Sequence, residues 1–172
     1  MTYLNKGYLY SLISMALLIV SLVFPLLALV DLIFLVLSAY YLYKGFSRLS
    51  RINKEFAPGK RGLILIFIGT PLAIIRPLSV IGTIIAFAGV IEYFRGLWRL
   101  SKLKGGELIR YGIVASATAY ALGLLTFGMS LELYIVLETF LGSMAAALLY
   151  LGTKKLLKER PWSTRSSGAG AT

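Results

Sequence analysis

The chain has 172 residues, 58% of them hydrophobic, with a mean hydropathy of +0.82 and a formal net charge of +11. Soluble domains hold roughly 45–50% apolar residues, so this composition excludes an ordinary water-soluble fold and points to a bilayer. The absence of cysteine and histidine removes disulfides, thiolate nucleophiles, zinc and cluster ligation, and the usual proton shuttle.

The first predicted element is a helix near Tyr8 to Phe24, preceded by Lys6. Its apolar run continues through Leu27 without a small-residue cleavage site, so it reads as a retained span and not a cleaved leader. After Pro25 a second span follows near Leu26 to Tyr43 and ends in the basic stretch YLYKGFSRL. A short third span, Leu63 to Ile75, reaches Arg76-Pro77, a breaker pair that predicts a tight reversal. The fourth span, Leu78 to Phe94, ends in YFRGLWRL, and the segment LKGGELIR leads to a fifth near Ile109 to Phe127. Gly128-Met129-Ser130 then predicts a reversal into a sixth span, Leu131 to Leu151, closed by YLGTKKLL. Each run approaches the ~20 residues that cross a hydrocarbon core. The remaining residues, ending in SSGAGAT, are small and polar and are expected to form a disordered cytoplasmic tail over 161–172.

The three basic stretches are copies of one another. With Gly45, Gly96 and Gly152 in register, Tyr43, Phe94 and Tyr150 stand two residues earlier, and Arg48, Arg99 and Lys155 three later. Leu49, Leu100 and Leu156 stand four later, and the small residues Ser38, Gly89 and Ala145 seven earlier. The expected fold class is therefore an all-α integral membrane protein with six transmembrane helices in three consecutive hairpins, an internal threefold repeat within one domain over 1–160. The hairpins cover about 5–51, 59–102 and 105–159. In each copy the aromatic suits the head-group level, the glycine allows close helix approach, and the cation can snorkel toward lipid phosphates.

Seventeen of the eighteen basic residues fall on one side of this arrangement, with Arg76 alone opposite. The positive-inside rule then puts both termini in the cytoplasm of a cell-membrane protein. A basic chain could bind nucleic acid, but cations confined to the flanks of apolar runs fit anionic head groups instead, so the expected partners are membrane lipids and other membrane subunits or copies of the chain. Asp31 and Glu138 both lie fourteen residues before a marker glycine, where the middle copy has Gly82. That is about 21 Å along a helix axis, a depth at which a carboxylate calls for a partner or an aqueous cavity. Arg76 is the candidate partner.

Enzyme templates find no purchase: one aspartate, no histidine, and no phosphate loop after a strand. No cofactor is expected. Small residues instead mark packing seams, with Gly82, Gly89 and Gly96 spaced by sevens on one helix face, and Gly142 and Ala146 four apart.

GFSRLSRINKEFAPGKRGLILIFIG, IGTIIAFAGVIEYFRGLWRLSKLKGGELIRYGIV and FLGSMAAALLYLGTKKL resemble a group of small crenarchaeal multi-pass membrane proteins, domain of unknown function 973. The resemblance implies a topology and a source, and it supplies no catalytic residues. Two functions are compatible with the sequence. One is a structural or accessory subunit of a larger membrane assembly, or a lipid-organising homo-oligomer. The other is a small transporter or channel with a proton or cation site near Asp31 and Glu138.

Overall fold

The structure, a computed structural model, describes residues 1–21, 24, 26–126 and 131–159, and the side chains of these outside 123–126, 131–138 and 159. Its described residues form six α-helices and no strand: α1 (Thr2–Ser21), α2 (Leu27–Ile52), α3 (Ala57–Ile74), α4 (Ser79–Ser101), α5 (Glu107–Thr126) and α6 (Leu131–Glu159). Four segments among the described residues are long and apolar enough to cross a membrane: α1, α2, α3 with the turn before it, and α4 with the turn before it.

The helices outrun the apolar spans that the sequence marks. α2 continues nine residues past Tyr43, because Lys, Arg, Ser and Leu are all compatible with helical backbone and only Asn53 stops it. Asn53 turns extended (φ −141°, ψ 120°), and its Oδ1 accepts a hydrogen bond from the Glu55 amide at 2.9 Å, which starts a short 3₁₀ turn over Lys54–Phe56. α3 then begins six residues before Leu63, with Pro58 in its first turn, where a missing amide hydrogen costs nothing. Arg76-Pro77 makes the expected reversal as a second 3₁₀ turn, Arg76–Leu78. Between α4 and α5 the turn rests on Gly105 at φ 87°, a left-handed value that favours glycine. The reversals expected at Pro25 and at Gly128-Met129-Ser130, and the tail over 161–172, lie outside the described residues.

Consecutive helices pair as hairpins, α1 with α2, α3 with α4, and α5 with α6. Between hairpins the second helix of each meets the first of the next: α2 meets α3, α4 meets α5, and α6 returns to α1. The six helices thus close a ring. The buried core gathers at the end of the ring that holds the basic stretches: Leu4, Phe46, Leu49, Leu97, Leu100, Ile109 and Leu156 are at most 2% exposed. At the opposite end large apolar side chains stand open, with Leu26 83%, Ile74 79% and Val80 71% exposed.

Candidate functional site

The inner end of the ring is built from glycines facing across each hairpin. A Cβ placed on Gly45 would meet Leu4 Cγ at 2.7 Å, one on Gly152 would meet Ile109 Cγ1 at 2.7 Å, and one on Gly96 would run into the Gly59 backbone. Each marker glycine of the second helix therefore receives a residue near the start of the first. The reciprocal contact comes three residues further along the first helix. A Cβ on Gly7 would meet Leu42 Cγ at 2.7 Å, one on Gly112 would meet Leu149 Cγ at 2.8 Å, and one on Gly62 would meet Tyr93 Cα at 2.8 Å. Leu42, Tyr93 and Leu149 each stand three residues before a marker glycine. Gly59, Gly7 and Gly62 are not among the packing positions that the repeat alone singles out, although they complete the same lattice.

The α3–α4 hairpin is the closest packed of the three. Gly82 abuts the backbone of Ala73, whose Cα would lie 2.7 Å from an added Cβ, and Gly89 meets the Ile66 amide at 2.7 Å. Gly142 differs. Its nearest neighbours are the flexible tip of Met15 on α1, with Cε at 3.3 Å and Sδ at 3.5 Å, so its open side faces a side chain and not a backbone.

Above the sealed end lies a cavity of about 190 Å³. Ser11, Ile66 and Ser116 line it, each four residues after Gly7, Gly62 and Gly112, together with Leu42, Tyr93 and Leu149. All three hairpins thus contribute corresponding positions to one chamber. The Tyr8 and Tyr93 hydroxyls pair at 2.8 Å across its wall, joining α1 to α4, and Ser116 Oγ donates to the Gly112 carbonyl at 2.9 Å. Among the described residues the chamber's lining includes no carboxylate, lysine or arginine.

The candidate charged site is not assembled as the sequence suggests. Asp31 is half-buried and accepts a hydrogen bond from Ser14 Oγ on the neighbouring α1, seven residues after Gly7. Arg76 stands exposed in its 3₁₀ turn, and no ion pair between it and Asp31 occurs among the described residues. A hydroxyl on the adjacent helix is nearer to Asp31 than a cation in another hairpin, and it satisfies one carboxylate oxygen without a second charge. The Glu138 side chain lies outside the described residues. In the middle hairpin the positions of Ser14 and Asp31 are taken by Gly69 and Gly82, which pack backbone to backbone. Among the described residues no three acidic side chains converge to hold a metal ion.

The three copies of the basic stretch have different surroundings. The Arg48 guanidinium lies 4.4 Å from the Tyr3 ring centroid, and Lys155 approaches Glu107 at 4.0 Å, while Arg99 is exposed. Tyr43 carries Lys60 at 5.7 Å from its ring centroid, and the Tyr150 carbonyl accepts a hydrogen bond from Asn5 at 3.0 Å. Phe94 meets Tyr120 edge-on at 6.2 Å between ring centroids.

Residues 3–171 match the protein family of unknown function DUF973. The chain belongs to this family. The match spans all six helices. Searches of curated proteins and of solved structures return no match.

Proposed function

We propose that this DUF973 member is a six-span integral membrane protein of the cell membrane, built from three repeats of one hairpin. In this reading both termini lie in the cytoplasm. Its role is non-enzymatic, as a structural or accessory component that organises lipid or a larger membrane assembly. The observation that carries this reading is the distribution of burial. Among the described residues the largest buried side chains gather at the basic end, and many apolar side chains of the outer halves stand exposed, as Leu29, Ile74 and Val80 illustrate. Such surfaces call for lipid or another membrane protein. The repeat draws support from the six reciprocal glycine contacts and from three seams that each join a second helix to the next first helix.

A transporter or channel is the alternative, and the chamber at the centre of the ring is the feature that favours it. A cation path needs converging polar or charged groups, whereas the described residues of the chamber supply hydroxyls and hydrocarbon, and Asp31 is engaged by Ser14 outside it. The accessory reading therefore stands ahead. Purified protein in proteoliposomes is expected to pass no proton or cation, and the double variant Asp31→Asn with Glu138→Gln is expected to leave its assembly unchanged. A flux present in the wild type and lost in that variant would establish the conduit instead.

A further inference from the structure

The three seams between hairpins share a layout but differ in chemistry. At each seam, the residue two before Gly7, Gly62 or Gly112 reaches back to the preceding helix. Asn5 Nδ2 donates to the Tyr150 carbonyl at 3.0 Å and to Thr153 Oγ1 at 3.2 Å, Lys60 lies 5.7 Å from the Tyr43 ring centroid, and Arg110 lies 5.8 Å from the Trp98 ring centroid. Direct hydrogen bonds therefore stitch the α6–α1 seam. The α2–α3 seam leaves a groove of about 300 Å³ lined by aliphatic and aromatic side chains, among them Tyr40, Tyr43 and Phe67.

The α4–α5 seam is different. It holds an open groove of about 450 Å³, walled by Ile91, Phe94 and Ile113, with Trp98 beside them and Arg95, Arg99 and Lys102 at the rim. Arg95 is already paired with Glu92, which also faces Arg61 at 3.7 Å. Arg99 and Lys102 are exposed and have no carboxylate within ion-pair distance among the described residues. Two uncompensated cations therefore stand at the mouth of an apolar slot, Arg99 directly after the exposed Trp98 and Lys102 one turn beyond it. That order, hydrocarbon then indole then cation, matches the order of acyl chain, interface and phosphate in a membrane leaflet.

We propose that the α4–α5 groove binds the phosphate head group of an anionic membrane lipid. Arg99 and Lys102 take the phosphate, and Ile91, Phe94 and Ile113 take the first part of the acyl chain. The site rests on the membrane reading above and goes beyond it, because it selects one seam of three and one lipid charge. It also gives the α4–α5 seam a lipid to bridge it.

The test uses tryptophan fluorescence in bilayers. The chain has two tryptophans, and Trp162→Phe leaves Trp98 as the sole reporter. In full-length protein reconstituted into mixed vesicles, phosphatidylglycerol with brominated chains should quench Trp98 in preference to brominated phosphatidylcholine. Each cation near a membrane surface contributes about 1 kcal/mol, or roughly fivefold. With two cations the preference should therefore be on the order of 25-fold and should collapse toward unity in Arg99→Gln with Lys102→Gln. Arg51→Gln with Lys54→Gln removes the same charge elsewhere and should leave the preference intact. Equal quenching by both lipids overturns the proposal, as does a preference that survives the Arg99 and Lys102 changes or falls equally with the control pair. Loss of the preference on adding inorganic phosphate identifies a free-anion site and overturns the lipid assignment. Absence of quenching by either lipid refutes the membrane placement itself, a distinguishable outcome.

Discussion

Alanine at Gly62 should leave the protein less stable than alanine at Gly142, although both sites are helical glycines. Each substitution removes the backbone freedom of glycine, worth about 1 kcal/mol in favour of alanine within a helix. At Gly142 the new methyl meets only the tip of Met15, 3.3 Å away, which can swing aside. At Gly62 it meets backbone atoms of α4, with the Gly89 carbonyl oxygen at 2.6 Å and Tyr93 Cα at 2.8 Å, against an ordinary contact near 3.4 Å or more. The Tyr93 amide nitrogen is nearer still, and none of these atoms can rotate away, so α3 and α4 must separate by about an ångström. A gap of 0.5–1 Å forfeits about a quarter to a half of each dispersion contact along the seam. Overpacking of this kind typically costs about 1–3 kcal/mol. The propensity gain is common to both, so the two variants should differ by about 1–3 kcal/mol, or about 2–12 °C in Tm for a chain of this size. Thermal unfolding of the detergent-solubilised proteins, followed by circular dichroism, measures the gap. If Gly62→Ala melts at or above Gly142→Ala, the close approach of α3 and α4 is wrong.

Replacing Tyr93 with Phe removes the hydroxyl pair with Tyr8, which stands at 2.8 Å, and should lower stability by about 0.5–1.5 kcal/mol. The double variant Tyr8→Phe with Tyr93→Phe should cost little more than either single change, and additive losses would show that the hydroxyls act independently. Topology can be read by single cysteines in this cysteine-free chain: a membrane-impermeant reagent applied outside should label position 129 and miss positions 54 and 165, and labelling at 54 would invert the proposed orientation.

Much of the fold can be read from the second helix of each hairpin, because there the marker glycine, its aromatic and its cation recur at fixed spacing. The first helices hide their half of the pattern. Gly7, Gly62 and Gly112 precede their marker glycines by 38, 34 and 40 residues, so a search at fixed spacing passes over them. The cause is physical. The reversals differ in length, which slides the first helix along the sequence while its place in space is held by the glycine contact. The polar partner of Asp31 is hidden for a similar reason. Charge complementarity nominates Arg76, but Ser14 comes alongside Asp31 only once Gly7 has fixed the register of α1 against α2.

That register explains how the three hairpins can differ in detail and still close the ring. Closure needs a small residue and a matching neighbour at the inner end of each hairpin, and the six glycine contacts there supply it. The positions seven residues further out are not needed for closure, and they vary: a hydroxyl and a carboxylate between α1 and α2, two glycines between α3 and α4. The seams vary likewise, from hydrogen-bonded at Asn5, to aromatic at Tyr43, to cationic beside Trp98. Symmetric inner contacts carry the fold, and the asymmetric positions around them are where a function specific to this chain has room to reside. On that argument the α4–α5 groove, whose lining includes cations where that of the α2–α3 groove includes none among the described residues, is better placed to carry that function than the chamber, to which all three hairpins contribute corresponding residues.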